Sequence, residues 1–167
     1  KQNMNKFKNI IRKNILENNK LSLILEEKCL RDIEEISLEI TNSLDKGGTI
    51  FFCGNGGSAS DSQNFASELV GKFRNERKAL RAIALTVDSS VLTNIANDFS
   101  YKYIFSRQIE ALGREGDILF SISTSGQSPN VLEAIKMANN LNLTTLSLLG
   151  KSGGKAFDIS HKSIIIP

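Results

Sequence analysis

Apolar residues recur along this chain with two different periods, and the change falls near residue 49. Over residues 3–18, Met4, Phe7, Ile10, Ile11 and Ile15 return every three or four positions, as one face of a helix requires. Over residues 21–45, Leu30, Ile33, Ile36, Ile40 and Leu44 repeat that spacing, and Gly47-Gly48 supplies a stop. Such stripes serve core packing or a subunit interface, and they carry no chemistry. From Thr49 the pattern becomes short apolar runs: "TIFFC" (49–53), "RAIALT" (81–86), "DILFSIS" (117–123), "TTLSLLG" (144–150) and "SIIIP" (163–167). Helical patterns fall between them at 59–71, 90–97, 101–112 and 129–141. Buried strands alternating with helices predict a parallel sheet with right-handed crossovers, covered on both faces. The expected fold is therefore α/β. It is one three-layer, doubly wound parallel sheet of about five strands over 49–167, preceded by two N-terminal helices within 1–48.

Composition narrows the function classes. The chain has 167 residues, enough for one domain with one sizeable core, and its 40% hydrophobic and 23% charged residues are ordinary for a globular protein. A net charge of +3, with the basic residues dispersed, gives no footprint for a nucleic-acid partner. No apolar run is long enough to span a membrane, and the Lys- and Asn-rich start is not a signal peptide. Cys29 and Cys53 lie far apart with no CxxC spacing and read as reduced, buried thiols, so a cytoplasmic location is expected. The chain begins at Lys1 instead of Met and stops on an apparent strand, so a residue before Lys1 and a covering segment after Pro167 are expected.

In doubly wound sheets the ligand lies beyond the C-terminal ends of the strands, which directs attention to loops 54–58, 86–90, 124–128 and 150–154. The first, "GNGGSAS", follows a strand and opens a helix, where free N–H groups favour an anion, although such a turn can also be purely structural. Its glycines miss the GxGxxG spacing, no GxxxxGK[ST] occurs, and no nucleotide cofactor is indicated. In "STSGQS" (123–128), Ser128 stands as N-cap before Pro129. Capping alone leaves Ser123, Thr124 and Ser125 unexplained, whereas hydroxyls, a glycine and a helix start together make a phosphate cradle.

The segments "CGNGGSASDSQNFASEL", "LTNIANDFSYKYIFSRQ" and "ISTSGQSPNVLEAI" resemble the sugar isomerase (SIS) domain family, and within it the bacterial isomerases of sedoheptulose 7-phosphate. The resemblance covers nearly the whole chain and implies a flavodoxin-like sheet and a homotetramer that binds a sugar phosphate between subunits. Carried over by position, Asn55, Gly56, Gly57 and Ser58 contact substrate, and Ser123, Thr124, Ser125 and Ser128 hold the phosphate. Asn97 and Asp98 approach the sugar, Lys72 adds a cation, and Glu68 is the catalytic carboxylate. The implied reaction moves a proton between C1 and C2 of a ketose through an enediol, giving D-glycero-D-manno-heptose 7-phosphate for lipopolysaccharide or capsule synthesis. A carboxylate whose pKa is raised by partial burial suits the proton transfer.

Three positions depart from the family pattern. Where a histidine normally precedes the glutamate by one turn, this chain has Asn64, so Glu68 lacks its usual companion for zinc, and a neutral amide oxygen is a poor substitute. Lys72 stands where arginine is common and loses the bidentate fork. The family continues beyond Pro167 with a glutamine and a histidine on one helix, whereas His161, this chain's one histidine, precedes the last strand and reads as a surface residue. These departures leave an alternative: a noncatalytic SIS protein that senses a sugar phosphate or scaffolds a partner.

Overall fold

The computed structural model describes residues 2–167, with side chains from Asn5 onward, so Met4's place in the first stripe lies outside the described side chains. Five strands form one all-parallel sheet in the order β2-β1-β3-β4-β5: β1 (Ile50–Gly54), β2 (Ala82–Ala84), β3 (Ile118–Ser123), β4 (Thr144–Gly150) and β5 (Lys162–Ile166). Alternation along each strand divides the core into two layers. Phe52, Phe120, Leu146 and Ile164 face one side, which is covered by α2 (Leu30–Asp45) and α3 (Gly57–Val70). Phe51, Leu119 and Leu149 face the other, beneath α4 (Ser89–Asp98), α5 (Ser106–Leu112), α6 (Pro129–Asn140) and α7 (Gly154–Ile159). The strand order reverses between β1 and β3, which puts the crevice of the sheet beyond Gly54 and Ser123.

The first helix is longer than its pattern predicts. Instead of pausing at residues 19–20, α1 runs from Gln2 to Lys28, because nothing between Asn18 and Leu21 breaks the hydrogen-bond ladder. The interruption falls at Cys29, whose buried thiol donates to the carbonyl of Ile165 at 3.5 Å and ties the bend to β5. Ladder bonds persist on both sides of it (Cys29 N to Leu25 O and Ile33 N to Cys29 O), so the chain bends there without ending its helix. The span 101–112 is likewise divided, into a 3-10 turn (Tyr101–Tyr103) and α5. The six-residue α7 was too short to show a period in the sequence. Both cysteines are free and buried, and burial pushes the Cys53 thiol up to about 12.

At the N-terminal ends of the strands, one buried carboxylate joins three connections. Asp117 accepts from Thr49 N at 2.7 Å and from Arg114 N at 2.9 Å, while its carbonyl accepts from Thr144 N at 3.0 Å. His161 serves the same end, its Nδ1 lying 3.0 Å from the Thr145 N–H that donates to it. Removing the Asp117 side chain strands a buried N–H, so Asp117→Ala is expected to lose about 2 kcal/mol in urea unfolding. A loss below about 0.5 kcal/mol would mean water replaces the carboxylate at no cost.

Candidate active site

At the crevice, two asparagines hold each other. Asn55, directly after β1, donates from Nδ2 to Asn130 Oδ1 at 2.9 Å, and Asn130 Nδ2 returns the bond to Asn55 Oδ1 at 2.8 Å. The Val131 N–H also donates to Asn130 Oδ1, at 3.0 Å, which fixes which way the Asn130 amide points. Tyr101 completes the set by donating from its hydroxyl to Asn55 Oδ1 at 3.1 Å. With its oxygen satisfied twice, Asn55 keeps one N–H for a ligand. Lys102 reinforces the Tyr101 turn through an ion pair of 3.3 Å with Glu133 on α6. Hydrogen bonds from Lys136 first, and from Lys102, hold the Glu133 carboxyl below its ordinary range.

 Beside Asn55 lies a hollow of ≈ 220 Å³, lined by Asn55, Ser58, Ser123, Thr124, Ser125, Ser128 and Lys151. Ser123 is buried and its Oγ accepts from Gly126 N at 3.1 Å, while Ser125 Oγ accepts from Gln127 N at 3.2 Å, so two of the hydroxyls also shape their own loop. Ser128 occupies the N-cap position of α6, but its hydroxyl makes no capping bond. Capping therefore does not account for it, and the hydroxyl remains available to a ligand. The loop is held from behind by the turn after β4: Gly126 adopts φ +60, its carbonyl accepts from Ala156 N at 2.9 Å, and an added Cβ would overlap the carbonyl of Gly153. Gly56 opens α3 at φ +58, which a side chain would strain.

Glu68 and Asn64 lie further along α3. At 100° per residue, Asp61, Asn64 and Glu68 fall on one flank of the helix, the flank that leads away from Ser58. The hydroxyl-lined hollow adjoins a second of ≈ 410 Å³; Ser58, Ile122, Thr124 and Lys151 line both, and Asp61 lines the second. Glu68, half-buried, lines a third of ≈ 430 Å³ with Asn64, Phe65, Phe73, Arg77 and Phe120. Glu68, the catalytic carboxylate of the sequence reading, thus lines a separate hollow from the cradle. Phe65, stacked on Phe52 at 5.7 Å between centroids, helps to wall that hollow. Arg77 closes the helix end, donating to the carbonyls of Glu68 at 2.6 Å and Leu69 at 2.9 Å.

The remaining sequence candidates stand apart. Asn97 and Asp98 are exposed at the end of α4, bonded to each other at 2.8 Å, and line none of these three hollows. Lys72 is exposed and pairs with Glu76 at 3.3 Å. Gly57 is exposed in the first turn of α3. For zinc, the hollow offers one carboxylate, a neutral amide and a nearby guanidinium, and no group of three or more His, Cys, Asp or Glu that could hold a metal occurs among the described residues. That donor set does not fit a zinc site. Three contributors escaped the sequence reading: Tyr101, Asn130 and Lys151. Lys151 does fall in the flagged loop 150–154, and Asn130 directly follows the Ser128-Pro129 helix start, so position could have pointed to both.

Because Gly126 packs against Gly153 without room for a methyl group, Gly126→Ala should displace the 123–128 loop. The expected result is at least about tenfold weaker binding of a phosphorylated sugar with the fold retained, read by calorimetry and circular dichroism. Unchanged affinity would show that the loop's position does not govern binding.

The chain is similar to known proteins over most of its length. The sequence profile of the SIS domain matches residues 17–150. Phosphoheptose isomerase 1 of Campylobacter jejuni is 51% identical over 135 residues, spanning 81% of this chain and 73% of the relative. The phosphoheptose isomerase of Clostridium acetobutylicum is 51% identical over 154 residues, spanning 89% and 79%. The solved phosphoheptose isomerase of Neisseria gonorrhoeae superposes with a TM-score of 0.91 at 35% identity, over 96% of this chain and 86% of that one. No helix among the described residues is long and apolar enough to cross a membrane. The chain belongs to the SIS domain family and, within it, to the phosphoheptose isomerases.

Proposed function

We propose that the chain isomerises sedoheptulose 7-phosphate to D-glycero-D-manno-heptose 7-phosphate, with the phosphate in the hydroxyl cradle and the reacting carbons toward Glu68. The observation that carries this reading is that Ser58, which lines the cradle, and Glu68 lie on one helix, α3. Ser58 and Glu68 are ten residues apart, about 15 Å along the helix axis. A 7-phosphate puts its phosphate at the far end of the sugar from C1 and C2, and a seven-carbon chain with side-chain reach at each end matches such a separation. A three-carbon phosphate is too short to engage both ends.

In this reading Glu68 takes a proton from C1 of the ketose, the electrons form the C1–C2 enediol, and a proton returned to C2 as O1 becomes the aldehyde completes the isomerisation. Asn55 and the cradle hydroxyls hold the anion in place. No step passes through a metal, and the reaction is proposed to run without zinc because Asn64 and Glu68 do not form a zinc donor set. The cytoplasm is the proposed compartment, in keeping with two free cysteines.

The test is an NMR time course with sedoheptulose 7-phosphate in D₂O, run metal-stripped and with added zinc. Conversion to the aldose phosphate at equal rates in both samples is expected. Glu68→Gln should slow it by about 10²- to 10⁴-fold while binding stays within a few-fold. Undiminished turnover in that variant would remove Glu68 from the mechanism. Binding without any conversion by the unaltered protein would instead make this a sugar-phosphate receptor.

A homotetramer is proposed as well. Its support is the stripe of α1, where Phe7, Ile10, Ile11, Ile15, Leu16 and Leu23 are exposed in the single chain. Light scattering should give four copies, and Ile11→Asp with Ile15→Asp should reduce that number. A monomer from the unaltered chain would contradict the proposal.

A further inference from the structure

Hydroxyls and amides orient a phosphate ester but leave its charge of about −1.5 to −2 without a counter-ion. The residues lining the cradle include one charged side chain, Lys151, which also lines the adjoining hollow. We propose that Lys151 is the cation that binds the substrate phosphate. The inference rests on reading the hydroxyl hollow as the phosphate site and adds to it a specificity-determining residue.

The backbone supports the assignment. Lys151 sits at φ +57, and besides Asn142 it is the one non-glycine residue in the left-handed region among the described residues. Such a conformation suits glycine and, less often, asparagine, and it strains lysine. The surrounding turn has glycines at 150, 153 and 154, so the strained position is the one that carries a long cationic side chain. Gly150 brings the turn against the cradle, since a Cβ there would lie 2.9 Å from the carbonyl of Thr124. Gly153 N donates to Gly150 O at 3.0 Å and closes the turn. Lys102, Lys136 and Lys162 are all engaged by carboxylates, whereas no carboxylate among the described residues pairs with Lys151. Strain is retained at a residue whose side chain has no structural partner and borders an anion cradle.

The discriminating experiment compares sedoheptulose 7-phosphate with sedoheptulose on the unaltered protein, Lys151→Gly and Lys151→Arg, by calorimetry at two salt concentrations, with thermal unfolding alongside. Lys151→Gly relieves the backbone and removes the charge. It should unfold at the same or a higher temperature, yet bind the phosphorylated sugar about tenfold more weakly and with less salt dependence. Lys151→Arg should keep most of the preference for the phosphorylated sugar. If the unaltered protein prefers the phosphorylated sugar and Lys151→Gly keeps that preference in full, the assignment of Lys151 is overturned while the cradle stands. If the unaltered protein shows no preference, the cradle reading fails and the assignment falls with it.

Discussion

The reciprocal amide bond between Asn55 and Asn130 is the contact on which the site depends. β1 and β3 are neighbours, but the helices that follow them leave on opposite faces of the sheet, and this divergence opens the crevice. A crevice between diverging backbones would be occupied by water without something to bind its walls. The two amides do so at 2.8 and 2.9 Å. Their orientation is not free, because the Val131 N–H demands an oxygen from Asn130, and Asn130 then dictates what Asn55 presents. The backbone N–H of Val131, on α6, therefore determines that Asn55 presents hydrogen, not oxygen, to the hollow.

A second constraint supports the first from behind. The loop after β3 and the turn after β4 meet backbone to backbone at Gly126 and Gly153, with Ala156 N bonded to Gly126 O. Side chains are excluded from that contact, which leaves Ser123 and Ser125 to shape the loop with their own hydroxyls while they line the hollow. Stability and binding are drawn from the same groups here. At the other end of the strands they are separate: Asp117 and His161 bond to backbone and sit far along the sheet from the cradle.

The sheet was legible because each strand is an apolar run bounded by glycine or polar residues, and because buried parallel strands leave that trace regardless of their partners. The bend at Cys29 was not legible, since its cause is a thiol bonded to a carbonyl 136 residues away. The cluster of hydroxyls after β3 was legible in the sequence, although two of its members, Ser123 and Ser125, also bond within their own loop. Tyr101 was not legible, because its role is a bond to Asn55 46 residues away, and for Asn130 the one sign was its place after the Ser128-Pro129 helix start, since its pairing with Asn55 spans 75 residues. Glu68 occupies an intermediate position. Its helix and flank follow from spacing alone, but the wall that Phe65 builds around its hollow arises from stacking on Phe52 and Phe120.

That wall bears on how one fold accommodates a hydroxyl-lined hollow and, in the proposed function, a carboxylate that handles protons. Hydroxyls and a lysine suit an anion, whereas a base works best where its surroundings are partly apolar. Placing the two at different turns of one rigid helix lets each keep its own environment while their separation stays fixed. Arg77 contributes at the far end by holding the carbonyls of Glu68 and Leu69, so the last turn cannot fray and carry the carboxylate with it. In the proposed function, helix α3 is a spacer whose length, set by 1.5 Å per residue, suits a sugar that carries its phosphate far from its carbonyl.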